Sequence, residues 1–277
     1  MKRCAALMIM ALCLVGGANT ASAQYTGQDA FLSAIHKMKR SVAPLMCFRA
    51  LPPRSRPALQ PSQAGGAPPN AAAQAPPQEF QPIAAATAFF ITRHGDFLTA
   101  AHAVTEFQPG RSLASCAMSI WFESPIDAAG NYSAQAFFVS VPQCVSDLGL
   151  DIARCRTIDD LGKIYDGRFM PDPVEFDSGQ RDDGTAVAIT GFPLLTTTPI
   201  SSRGYIGGYI PAAQNAPRMA IDRAAWPGGS GSPVYDWRGR VLGVLLEAGE
   251  GTASGISVAG TSYAISQFLA AHPVDER

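Results

Sequence analysis

The sequence predicts an all-β protein, a barrel or sandwich of short strands, and three observations carry that expectation. From Ala84 onward, short runs rich in β-branched and aromatic residues alternate with turn residues. No stretch with a 3.6-residue apolar period interrupts them until about residues 264–271. The helices that would have to separate the strands of an α/β sheet are missing from the pattern.

The elements follow in chain order. Lys2 and Arg3 precede an apolar run from Cys4 to Val15, and Ala21-Ser22-Ala23 supplies small residues before Gln24, the pattern of an export signal cleaved after Ala23. The run is too short to span a bilayer core of roughly 30 Å at 1.5 Å per residue, so no membrane association is expected once it is removed. Residues 27–40 set Phe31, Leu32, Ile35 and Met38 on one face of a short amphipathic helix, and a first strand follows at about Val42 to Arg49. Residues 52–82 hold nine of the 22 prolines with few large apolar side chains, which predicts a disordered insertion. The strands expected after it are AATAFFIT, DFLTA, MSIWFE, AQAFFVSV, TAVAITGF, RMAID, SPVYDW, VLGVLLEA and TSYAI. A helix at about Ala264 to Ala271 ends the pattern.

Without residues 1–23, 254 of the 277 residues remain, enough for one two-lobed unit or two small domains, with 19 basic against 22 acidic residues and a formal charge of −3. That balance gives no support to a nucleic-acid partner. Cys4 and Cys13 leave with the signal, so Cys47, Cys116, Cys144 and Cys155 are an even set suited to disulfides in an oxidising compartment, periplasmic or secreted. Three pairings are possible. The preferred one joins Cys116 to Cys144, because a hairpin centred on Gly130-Asn131 would set those strand ends opposite each other. No C-x-x-C spacing is present, and neither metal nor cofactor is expected.

Amide hydrolysis needs a nucleophile, a base that works near neutral pH, and a group that orients the base. Of four histidines, His36 lies on the N-terminal helix, His94 in a turn and His272 near the C-terminus; His102 ends a strand behind the small residues Thr99-Ala100-Ala101. Ser230 lies in Pro227-Gly228-Gly229-Ser230-Gly231-Ser232-Pro233, a run able to fold tightly and turn backbone N–H groups toward a bound carbonyl.

T-A-A-H at 99–102, D-I-A at 151–153 and P-G-G-S-G-S-P at 227–233 resemble the three signatures of chymotrypsin-like serine peptidases, in that clan's order of His, Asp, Ser. The resemblance is greatest to HtrA-type proteases, through G-F-P at 191–193, Ile221 to Ala225, Val241 to Val244 and Tyr263-Ala264-Ile265. It implies two six-stranded antiparallel β-barrels with a short helix at each end. It further implies His102 as general base, Asp151 as its orienting carboxylate and Ser230 as nucleophile, with the N–H groups of Gly228 and Ser230 as the oxyanion hole. Asp147 is the rival carboxylate, read as a turn residue.

The primary pocket maps by resemblance to Ala224, Leu246, Glu247 and Ala248, with Trp226 as a roof or a core residue. Ala224 offers no carboxylate to Arg or Lys, so small or medium aliphatic residues are expected before the scissile bond of unfolded or flexible polypeptides. Gly229 stands where trypsin-like zymogens carry an aspartate, so activity is expected without a further N-terminal cut. The chain stops at Arg277 where HtrA proteins continue into a PDZ domain, so regulation through such a domain is not expected. Leu246 falls where relatives often carry a hydroxyl that supports the aspartate. Nothing in the sequence argues for an oligomer. Two alternatives compete: an inactive peptide-binding relative, and an α/β-hydrolase esterase, whose G-x-S-x-G elbow is broken here by Ser232.

Overall fold

Seven strands build the first half of the computed structural model: β1 (Val42–Ala50), β2 (Phe80–Phe90), β3 (Asp96–Ala100), β4 (Ala114–Glu123), β5 (Ala134–Val141), β6 (Gln143–Asp147) and β7 (Ile152–Arg156). Their hydrogen-bonded order is β5-β4-β1-β2-β3-β7-β6, all pairs antiparallel. Only Pro142 separates β5 from β6, so the two ends of this order are one bent strand and the sheet closes on itself as a six-stranded barrel. A proline has no ladder donor, which is why the strand changes partner there.

The second half comprises β8 (Glu175–Phe176), β9 (Ala186–Gly191), β10 (Ile200–Ile210), β11 (Arg218–Ile221), β12 (Pro233–Tyr235), β13 (Arg240–Ala248) and β14 (Ser257–Thr261). Six of them run β12-β9-β10-β11-β14-β13, and pairing of β12 with β13 closes the ring, while β8 lies parallel along the outside of β13. Helices at 31–39 (α1) and Ser262–Ala271 (α2) flank the barrels. The structure describes residues 31–51, 79–105, 114–123, 134–158, 161, 172–212, 216–248 and 255–274. The predicted signal, positions 52–78 of the insertion and the Gly130-Asn131 turn lie outside the described residues.

Three apolar clusters explain the layout. One fills the first barrel around Leu45, Phe90, Phe97 and Met118, another fills the second around Val187, Ile206, Met219 and Leu245. The third, with Phe89, Ile152, Tyr235, Val241 and Leu246, joins the barrels and takes in Met38 of α1 and Phe268 of α2. Sequestering these side chains from water at roughly 25 cal/mol per Å² is what docks the two halves.

Several expectations are corrected. The buried face of α1 is Phe31, Ala34 and Met38, while Leu32 is 49% exposed. Residues 80–82 are not disordered: Phe80 pairs with Ala50, extending the β1–β2 hairpin into the proline-rich segment. TSYAI is not a strand, because Thr261 ends β14 and its side chain accepts the Ala264 N–H as the N-cap of α2. Strand β10 escapes the pattern because Gly204, Gly207 and Gly208 dilute its apolar alternation.

The cysteine pairing is also different, with Cys47–Cys116 and Cys144–Cys155 joined. In the β4–β5 ladder Cys116 faces Val141, and Cys144 lies beyond the Pro142 bend, already on the next partner. Cys144 therefore faces Cys155 across β6–β7, and Cys116 faces Cys47 across β1–β4.

Candidate active site

The site lies where the β2–β3 ladder opens. That ladder holds Phe89 opposite Leu98 and Phe90 opposite Phe97; nearer Thr87 and Ala100 the strands part. The Ser230 loop enters the gap. The Thr87 N–H donates to the Ser230 carbonyl at 2.8 Å, and Gly231, at φ +85°, packs so closely that a Cβ there would strike the Thr87 carbonyl oxygen and Thr99 Oγ1. No residue but glycine suits that position.

Strand β3 leads directly into the single 3₁₀ turn Ala101–Ala103, which carries His102. The turn is tied to Asp151 three ways: Ala101 N–H to the Asp151 carbonyl at 3.1 Å, His102 N–H to Oδ1 at 2.8 Å, and His102 Nδ1 to Oδ2 at 2.8 Å. A carboxylate can only accept, so Nδ1 carries the hydrogen of that contact. The Asp151 side chain is 12% exposed and that of His102 is 48% exposed, a shielded anchor beneath an accessible ring.

Asp151 has φ +56°, a left-handed backbone that aspartate tolerates better than bulky residues. It closes the β6–β7 turn, where Asp147 Oδ1 accepts the N–H groups of Gly149 at 2.8 Å and Leu150 at 3.0 Å. Asp147 is thus committed to the turn that presents Asp151. The other histidines are remote in role: His94 lies in the β2–β3 turn, and His272 follows α2 with its ring 4.9 Å from that of Phe268.

Ser230 Oγ donates to the Leu246 carbonyl at 3.2 Å. Around it the backbone alternates. The N–H groups of Gly229, Gly231 and Ser232 bond to the carbonyls of Trp226, Leu245 and Gly229, whereas those of Gly228 and Ser230 have no protein acceptor among the described residues. Both are set by the opposite ends of their peptides, since in a trans peptide N–H and C=O point apart. The Pro227 carbonyl takes the Leu194 N–H at 2.6 Å, and the Gly229 carbonyl takes the Ser232 N–H at 3.0 Å. Gly228 sits at φ +88°, and a Cβ there would lie 2.7 Å from the Phe192 carbonyl.

Beside this loop, Ala224 and Trp226 border a hollow of about 90 Å³ together with Leu245, Gly229, Ile200 and Pro193. Trp226 is 58% exposed and is no core residue. Leu246 is 1% exposed and belongs to the core between the barrels, so its carbonyl rather than its side chain meets the site. Glu247 and Ala248 complete β13; their backbone pairs with Val258 and Ser257. Among the described residues, no group of three or more His, Cys, Asp or Glu is arranged to hold a metal, and no helix is long and apolar enough to cross a membrane.

Sequence inspection missed Thr87 and Thr99. Thr87 is the one hydroxyl within Ala84–Ala88, and a lone polar residue in a buried alanine run was the available signal.

Two closed antiparallel barrels with a His–Asp pair and a glycine-flanked serine at their seam define a class, and the sequence comparison agrees with it. The model of the trypsin-like peptidase domain family matches residues 86–244, more than half of the chain, and the chain belongs to that family. No curated protein matches it. Among solved structures it is similar to Deg5, at TM-score 0.57 and 16% identity over 90% of this chain and 97% of that one. It is also similar to the active form of the Rv3671c protease from M. tuberculosis, at TM-score 0.55 and 17% identity over 88% of this chain and 85% of that one. At such identities the two neighbours speak for the fold.

Proposed function

We propose that the chain is a serine endopeptidase of the HtrA-like kind, exported to an oxidising compartment, with His102, Asp151 and Ser230 as its triad. The observation that carries this reading is the paired contact of His102 with Asp151, made at the seam that the Ser230 loop enters.

In the proposed reaction the Ser230 hydroxyl turns from the Leu246 carbonyl to His102. Nε2 takes the hydroxyl proton as Oγ attacks the scissile carbonyl carbon, and the carbonyl π pair moves onto oxygen. The N–H groups of Gly228 and Ser230 bind that oxyanion, each such donor being worth on the order of 10²–10³ in kcat. His102 returns the proton to the leaving nitrogen as the C–N bond breaks. Water, deprotonated by the same imidazole, then releases the acyl group from Ser230. Asp151 holds the ring throughout.

The substrate side is read from Ala224, Trp226, Leu246, Glu247 and Ala248. A hollow bounded by Ala224 and Leu245, with Arg223 at its edge and no carboxylate in its lining, supports small or medium aliphatic residues before the scissile bond, and the β13 backbone supports pairing with an extended, unfolded polypeptide. Two disulfides support an exported chain, since such bonds persist in oxidising compartments. The absence of an aspartate at Gly229 supports activity without further N-terminal processing.

The test combines a fluorophosphonate probe with digestion of an unfolded protein, followed by sequencing of the cut sites. Wild type is expected to be labelled on Ser230 and to cut after aliphatic residues; Ser230→Ala is expected to do neither. Equal labelling and cutting by both would end the triad reading. Cuts mainly after Lys or Arg would leave the triad and overturn the pocket. A folded wild type that binds peptide and neither labels nor cuts would favour a peptide-binding relative.

A further inference from the structure

Thr87 lies wholly buried at the point where the β2–β3 ladder opens, and every polar atom it has is engaged with the site. Its N–H donates to the Ser230 carbonyl at 2.8 Å, and its carbonyl accepts from Thr99 Oγ1 at 2.8 Å. Its hydroxyl donates to the Gly228 carbonyl at 3.0 Å and accepts the Phe192 N–H at 2.9 Å. A hydroxyl has one proton to give and lone pairs to receive, so both of these bonds are made at once by one atom.

We infer that Thr87 is a positioning residue for the oxyanion hole: its hydroxyl bolts the turn after β9 to Gly228 and so keeps the Gly228 N–H aimed into the site. The inference rests on the proposed function. The turn in question, Pro193–Leu195, holds Leu194 at φ +53° and Leu195 at φ +57°. Left-handed leucines cost on the order of 1 kcal/mol or more each, and persist only where the surroundings over-determine them. The Leu194 N–H in that turn fixes the Pro227 carbonyl, and through the planar peptide it sets the direction of the Gly228 N–H.

Thr87 Oγ1 ties down both ends of this arrangement, Phe192 before the strained turn and the Gly228 carbonyl after the critical peptide. Without the hydroxyl, a buried donor and a buried acceptor lose their partner together. The strained turn then loses its tether, and the Pro227–Gly228 peptide is free to rotate. The triad itself is untouched, because no side-chain contact of Thr87 reaches His102 or Asp151.

The test uses the whole disulfide-bonded chain and a peptide substrate, comparing Thr87→Val, which keeps the shape, with Thr87→Ser, which keeps the donor and the acceptor. Thr87→Val is expected to lower kcat at least about tenfold with KM within about twofold of wild type, since the lost interaction acts on the transition state. Affinity for a peptidyl boronic acid, whose tetrahedral adduct places an oxygen in the hole, is expected to fall by the same factor as kcat/KM. Thr87→Ser is expected to recover most of both. Thr87→Ala serves as the second loss variant if the valine does not fold.

Three results would overturn the inference: a folded loss variant with kcat close to wild type, a serine variant as impaired as the valine, or a loss of kcat without loss of boronate affinity. Hydrolysis by wild type that the loss variants retain sinks the bolt and leaves the triad standing. A wild type that hydrolyses nothing sinks both.

Discussion

The two barrels share a topology and are held together by different chemistry. The first is stapled covalently: Cys47–Cys116 joins β1 to β4 and Cys144–Cys155 joins β6 to β7, on either side of the Pro142 bend that closes the ring. Across β3 and β7 the buried Asp96 meets Arg156 at 2.8 Å. The second has no cysteine and is braced by charge. Asp177 and Asp236 lie between Arg181 and Arg240, with Arg181–Asp177 at 2.6 Å, Arg240–Asp177 at 2.7 Å and Arg240–Asp236 at 3.0 Å. Within its wall the Tyr235 hydroxyl meets Thr190 Oγ1 at 2.6 Å. The lesson is that the half carrying His102 and Asp151 is secured by bonds that need an oxidant, while the half carrying Ser230 is secured by contacts that depend on pH and solvation.

The largest expected effect comes from the staples. Closing loops whose ends are 69 and 11 positions apart is worth about 4 and about 3 kcal/mol respectively on the chain-entropy account, so Cys47→Ala/Cys116→Ala should destabilise more than Cys144→Ala/Cys155→Ala. Denaturant unfolding of the two double variants checks the ranking; equal midpoints in both would break it. The smaller loop carries Asp151, so its loss should also loosen the turn that orients His102.

A smaller effect is expected in the second barrel. Asp236 accepts the N–H groups of Arg238 and Arg240 at 2.9 and 3.0 Å besides its ion pairs. Its arginine partners keep about a third of their side chains in water, so Asp236→Ala should cost about 2 kcal/mol, below the figure for a fully buried pair. Thermal unfolding under reducing and oxidising conditions sharpens the contrast: this loss should persist with the disulfides reduced.

The smallest effect is a pH dependence. Burial pushes the Tyr235 phenol up to about 12 against the opposing hydrogen bonds from Thr190 and Ser201. The folded state thus holds its proton where the unfolded state, near 10, has released it. The contribution is complete below pH 10 and is lost as pH rises toward 12. Tyr235→Phe should cost about 1 kcal/mol at neutral pH and should flatten this alkaline fall. A variant whose stability declines as steeply as wild type above pH 10 would assign the decline elsewhere.

What could be read in advance divides along physical lines. A short run of β-branched and aromatic residues between turn residues reports a strand, so β5 and the wholly buried β3 are recognisable to the residue in AQAFFVSV and DFLTA. That signal is silent where glycine replaces the apolar member, as in β10, and where a helix cap follows a strand without a turn, as at Thr261. The partners of Cys116 and Cys144 depend on strand order around a barrel, which no local pattern encodes. The His102–Asp151 contact is anticipated because both residues sit in short motifs at strand ends. Thr87 is not, because its importance comes from four partners spread over three other segments.

The wedge of Ser230 and Gly231 between β2 and β3 bears on how such a chain survives its own synthesis. The Ser230 carbonyl is gripped by one barrel while its side chain rests on the other, so a half-folded copy has His102 without Ser230 beside it, or Ser230 without its seat. For a chain proposed to cut unfolded polypeptide, that arrangement withholds the blade until both halves have docked. On that proposal immature copies are poor attackers of one another, and the safeguard is the seam itself.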